Sequence, residues 1–100
     1  FKPKCMAIED AFFSINAKSA LILGMARGVL LLAAASNGIP TATYAPRKIK
    51  QSVVGNGAAD KKQVQYMVQK ILSIDTPLNQ LDISDALAIG ICHINQNKYL

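Results

Sequence analysis

The sequence predicts an α/β fold, specifically an incomplete open sheet built in the order β-α-β-α-α-α. Two observations lead there. Two short runs rich in strand formers, CMAIE and TATYA, flank a long apolar segment of helical character, which is the layout of a parallel βαβ unit. Three further segments with helical spacing follow without another strand. Two parallel strands leave exposed edges and too little covered face to hold a sheet together. The chain is therefore expected to be an N-terminally truncated portion of a single domain over residues 1–100, with additional strands completing the sheet.

The first strand begins at Cys5 and is expected to be buried, ending at Glu9 and Asp10. The long helix is opened by Asn16 or Ala17, runs to about Ser36 and stops at Asn37-Gly38, a pair suited to a helix end. The stretch SALILGMARGVLLLAAAS within it is short for a membrane span and carries Arg27 at its centre. A central arginine costs about 2.5–3.5 kcal/mol in a bilayer, so no membrane association is expected and a soluble helix buried on most sides is the better reading. Gly24 and Gly28 form a small-xxx-small pair, which suits close packing either on the sheet or on another subunit.

The second strand, Thr41 to Ala45, follows Pro40. Pro46 opens a short helix that ends near Gly55, since proline at the first helical position sacrifices no hydrogen bond. Asp60-Lys61-Lys62-Gln63 has the form of a capping box, and VQYMVQKIL continues it as a helix. After a loop containing Pro77, the last helix is expected from Asp82 to about Asn97.

Composition narrows the function. With 51% hydrophobic residues the chain can bury a real core. Its two cysteines, Cys5 and Cys92, lie far apart and outside any zinc-ligand spacing, which favours a reducing compartment and argues against structural zinc. The basic start is not followed by an apolar stretch and small-residue cleavage site, so no secretory signal is expected. Gly55 and Gly57 lack the spacing of a P-loop.

Charge is unevenly placed. The net charge is +5, and Arg47, Lys48, Lys50, Lys61 and Lys62 crowd one window around the loop QSVVGNGAAD. That window is either a solvated face or a phosphate-contacting surface. Three of the six acids are Glu9, Asp82 and Asp85. Asp82 and Asp85 stand three apart at the mouth of the last helix, on one face and roughly 5–6 Å apart at Cβ. They are either a cap with a supporting charge or half of a metal site. Glu9 ends a strand, where open α/β sheets tend to place ligands. Should the last helix pack against that end of the sheet, three carboxylates in a basic protein suggest two-metal phosphodiester hydrolysis. His93 lies eleven residues beyond Asp82, roughly 16 Å along the helix, too far to share a metal, and reads with Cys92 as structural or surface. Of Phe12 and Phe13, one is expected in the core and the other to stack on an unpaired base.

In combination, AIEDAFF, NAKSALILGMARGV, YAPRKIKQSVVGNGAADKKQVQYMV and DISDALAIGICH resemble the RuvC Holliday-junction resolvases, in order and almost without gaps from Ala7 to His93. The resemblance implies an RNase H-like fold and a cytoplasmic homodimer that cuts four-way junction DNA symmetrically with Mg²⁺. Two ions are expected per site, Mn²⁺ able to substitute, and a branch-migration helicase is a possible partner. It implies Glu9, Asp82 and Asp85 as catalytic metal ligands, Phe12 as the stacking aromatic, and Lys50 and Lys61 as basic residues near the cut. Arg47, Lys48 and Lys62 extend that DNA surface, and the helix around Gly24, Arg27 and Gly28 becomes a dimer contact. The family also carries a fourth carboxylate on an earlier strand that nothing here matches, and Asp10 replaces a glutamine often found after the glutamate. A non-catalytic dimerising module for branched DNA, or another RNase H-like nuclease, remain the alternative functions.

Overall fold

The structure, a computed structural model, describes residues 3–10, 16–75 and 81–97, leaving aside the side chains of Leu81 and Asp82. Its elements are β1 (Met6–Glu9), α1 (Ala17–Ser36), β2 (Thr41–Tyr44), α2 (Pro46–Val54), α3 (Lys61–Ile71) and α4 (Leu81–Asn97). Every element anticipated from sequence is present, in the anticipated order.

Local chemistry sets the boundaries. The Asn16 side chain accepts from the Ser19 amide at 2.9 Å and caps α1. At the other end the Asn37 side-chain amide donates to the Ala33 carbonyl at 2.8 Å, and Gly38 takes a left-handed φ of +67° that a β-carbon would oppose. Pro46 starts α2, and Gly55 at φ +88° ends it with its N–H on the Gln51 carbonyl at 2.8 Å. The Asp60–Gln63 capping box closes in both directions at 2.8 Å. One boundary shifts: α4 begins at Leu81, so Asp82 sits inside the first turn instead of capping it.

The two strands pair in parallel, in the register Met6↔Thr41 through Glu9↔Tyr44. Backbone bonds from Met6 to Pro40 and from Asp10 to Tyr44 extend the ladder at both ends. The core lies at the junction of α2, α3 and α4, where Ile49, Val53, Val64, Val68, Ala88, Ile91 and Cys92 pack together. Val68 is completely covered. Val68→Ala removes two methyl groups from that junction, at about 0.8 kcal/mol each plus a cavity term. A loss of roughly 2 kcal/mol is expected in urea unfolding, and a change below about 0.5 kcal/mol would move the core elsewhere.

Two expectations of burial are corrected. β1 is only half-buried along its whole length. More markedly, α1 buries only Ala34 among its twenty residues and leaves Leu21, Ile22, Met25, Val29 and Leu32 more than half exposed. It is long and apolar enough to cross a membrane by length and composition. Apolar residues surround α1 on every side, so no single contact with a two-stranded sheet can cover them.

Candidate nuclease site and DNA-facing surface

The alternation of side chains along a strand sends Glu9 and Asp10 to opposite sides of the sheet. Tyr44, the register partner of Glu9, reaches α4 and contacts His93, so Glu9 emerges on the α4 side. Asp10 lies toward α1, where Arg27 Nη1 stands 3.6 Å from its Oδ1, an ion pair too long for a hydrogen bond. The other Arg27 Nη donates to Thr43 Oγ1 at 3.5 Å. Arg27, expected from sequence at a subunit contact, therefore spends its guanidinium on the strand ends of its own chain.

On the α4 side, Glu9 opens into a cleft of about 240 Å³. Asp85 of α4, Lys50 of α2 and Lys61 of α3 share its walls, and Ile49, Val64 and Ala88 form apolar lining. Burial raises the Glu9 carboxyl above its ordinary value, and the Asp85 charge raises it further, while Lys61 and Lys50 pull it back. Lys61 Nζ lies 3.9 Å from Asp85 Oδ2, but its side chain is 66% exposed, so water screens this pair and it adds little stability.

This donor set fits a divalent cation in part. Asp85 lies close enough to Glu9 for its charge to disfavour ionisation of the Glu9 carboxyl, which a cation between them would relieve. Among the described residues no three His, Cys, Asp or Glu side chains gather as a metal-binding group. Asp82 lies one turn before Asp85 on the same side of α4, and its side chain is outside the described atoms. Phe12 lies outside the described residues altogether.

The basic window divides. Lys50 and Lys61 enter the cleft, whereas Lys48 lines a polar crevice with Ser52 and Gln96. Lys62 faces outward near Tyr66. Arg47 folds across Gly57, where a β-carbon would come within 2.6 Å of Arg47 Cγ, so the glycine makes room for the arginine stem. Sequence reasoning passed over Tyr66 and Lys70, although Lys62, Tyr66 and Lys70 recur at a four-residue spacing on α3. Lys70 donates to the Tyr66 hydroxyl at 3.3 Å. It also passed over Tyr44, whose partner His93 reads from sequence as structural or surface.

Residues 1–93 match the family model described as crossover junction endodeoxyribonuclease RuvC. The chain belongs to the RuvC family. A RuvC from Saccharophagus degradans is 54% identical over 100 residues, which are all of this chain and 57% of that relative. One from Proteus mirabilis is 54% identical over 99 residues, with 97% of this chain and 57% of the relative covered. This chain thus spans little more than half the length of the RuvC proteins it matches. Two solved structures superpose closely, each with 34% sequence identity. The Thermus thermophilus RuvC structure gives a TM-score of 0.84 over 97% of this chain and 58% of its own. The T. thermophilus RuvC in complex with Holliday junction substrate gives 0.89 over 99% and 60%. The two strands and four helices are accordingly a portion of the RNase H-like RuvC fold.

Proposed function

We propose that the chain provides most of the centre of a metal-dependent endonuclease that resolves four-way (Holliday) junctions in recombination and repair. The observation that carries this reading is the cleft whose walls Glu9 and Asp85 share with Lys50 and Lys61, with the Asp85 charge felt at Glu9. Carboxylates alone would repel a DNA phosphate, and lysines alone would bind it without placing a cation; the combination does both. Glu9, Asp85 and Asp82 would hold Mg²⁺, two ions per centre, with Mn²⁺ able to replace it. Bound there, the ions supply an activated water and offset charge on the leaving oxygen. Lys50 and Lys61 draw the scissile phosphate into the cleft. Arg47, Lys48 and Lys62 meet flanking phosphates, and Phe12 stacks on an unpaired base beside the cut.

Residues 1–100 form part of one RNase H-like nuclease domain. The open sheet edges call for further strands from chain beyond this segment, and a fourth carboxylate would come with them. Two copies pair through α1, with Gly24 and Gly28 at the contact and Arg27 seating the helix on the strand ends. The cytoplasm is the site of action, and a branch-migration helicase is the partner such a dimer would serve.

A labelled synthetic four-way junction tests this reading. Paired cuts at symmetric positions, appearing only with Mg²⁺ or Mn²⁺, are expected. Binding without cutting would make the chain a branched-DNA-binding module, and preference for an RNA–DNA hybrid would make it a different RNase H-like nuclease. Salt dependence checks the basic surface separately. With about four phosphate contacts the log–log slope of affinity against salt is expected to be about −3.6, becoming shallower by about one unit for Lys50→Ala. A flat dependence would remove the basic surface from the reading.

A further inference from the structure

Glu9 and Asp85 belong to different parts of the molecule. Glu9 ends a four-residue strand of a two-stranded sheet, while Asp85 rides on α4, which packs mainly on α2 and α3. The gap between the carboxylates therefore depends on how firmly the sheet is tied to α4. Tyr44 supplies such a tie. Its hydroxyl lies 2.7 Å from His93 Nδ1, and the two rings meet edge to face with centroids 5.8 Å apart.

Both ends of the tie are fixed. Tyr44 is the register partner of Glu9, and its carbonyl accepts from the Asp10 amide at 2.8 Å. His93 is braced by Asn97, whose side-chain nitrogen donates to the His93 carbonyl at 2.7 Å and lies 3.2 Å from Nδ1. An amide nitrogen only donates, so the hydrogen-bond pattern assigns Nδ1 as the acceptor and the Tyr44 O–H as a donor to it. Held at both ends, the bond leaves α4 little freedom to slide past the strand end.

We infer that the Tyr44–His93 hydrogen bond is a positioning device that sets the spacing of the Glu9–Asp85 pair. His93 is eight residues from Asp85, about 12 Å along α4, so a small rotation of the helix about its packed middle moves both ends. Ligand sets work only when held to within about 0.5 Å, a tolerance that apolar packing of α4 alone does not guarantee. Neither Tyr44 nor His93 touches the cleft; both act through the elements that carry the carboxylates. The inference rests on the reading that Glu9 and Asp85 hold a divalent cation.

The test measures Mn²⁺ affinity by calorimetry beside thermal unfolding, for Tyr44→Phe, His93→Leu, His93→Asn, the Tyr44→Phe/His93→Leu pair and Val68→Ala. Tyr44→Phe and His93→Leu are each expected to weaken Mn²⁺ binding about 10-fold, the lower end of what outer-shell changes cost. The double variant should be no weaker than either single one. His93→Asn, which returns an oxygen acceptor near the place of Nδ1, should recover most of the affinity. Val68→Ala should lose stability and keep its affinity. Near-wild-type affinity in both Tyr44→Phe and His93→Leu overturns the inference, as does loss of affinity in Val68→Ala proportional to its loss of stability. If the wild-type chain binds no Mn²⁺, the metal reading fails and this inference fails with it. If wild type binds, Glu9→Gln does not, and Tyr44→Phe and His93→Leu both match wild type, the inference alone falls.

Discussion

Asp85→Asn and Glu9→Gln are expected to abolish metal-dependent junction cleavage while leaving the metal-free fold as stable as before, or more stable. The two effects have opposite signs because the same proximity drives both. Each carboxylate is a proposed ligand, so its loss should exceed the 10–100-fold penalty typical of outer-shell changes. Without metal, however, the pair opposes folding. The Glu9 carboxyl is raised above its ordinary 4.5 by burial and then by Asp85. Between 4.5 and that raised value the folded chain binds more protons than the unfolded chain, so stability falls as pH rises through the window and stays lowered at neutral pH. Glu9→Gln should flatten this part of the pH–stability curve, and Asp85→Asn should shrink it by removing one of its two causes. Added Mg²⁺ should then stabilise wild type, because it binds only the folded state, and should stabilise neither variant. Unfolding measured from pH 4 to 8 with and without Mg²⁺ checks both halves. A Glu9→Gln chain that still cuts the junction would remove the carboxylate pair from the mechanism.

How far the fold could be read in advance follows from the range of the forces involved. Asn16, Pro46, Gly55 and the Asp60–Gln63 box act within a turn of their own positions, and the boundaries they predict are the boundaries found. The convergence of Glu9 and Asp85 was legible only as a condition, because it required α4 to pack on a particular end of the sheet. Three features were not legible. The basic window reads as one patch, but Lys48 and Lys50 are two residues apart on a helix and so point to nearly opposite sides. Tyr44 and His93 are 49 positions apart, and nothing local marks them as partners. The exposure of α1 was misread because apolar residues on every side signal burial without saying what does the burying.

If two copies pair through α1 as proposed, Met25→Glu is expected to turn that dimer into a monomer, and the layout of α1 gives the reason. At 100° per residue, Leu21, Met25, Gly28 and Leu32 fall within about 60° of one another, while Arg27, bound to Asp10 and Thr43, lies roughly 130° away. The arginine thus turns one side of α1 to the sheet and leaves an apolar strip facing outward. Met25 is 61% exposed at its middle, and a β-carbon built on Gly24 or Gly28 would meet nothing within 4 Å. Among the described residues nothing packs against those glycines closely enough to require them, so their smallness is available for the close approach of a second helix. A glutamate at Met25 would bury an unpaired charge, costing several kcal/mol, and each 1.4 kcal/mol weakens association tenfold. More than about 100-fold weakening is therefore expected in sedimentation equilibrium. Gly28→Ala gives the sharper check. Alanine favours an isolated helix by about 1 kcal/mol over glycine, so the monomer should become more stable while the dimer weakens. Parallel gains in both would mean that α1 meets its partner through some other face.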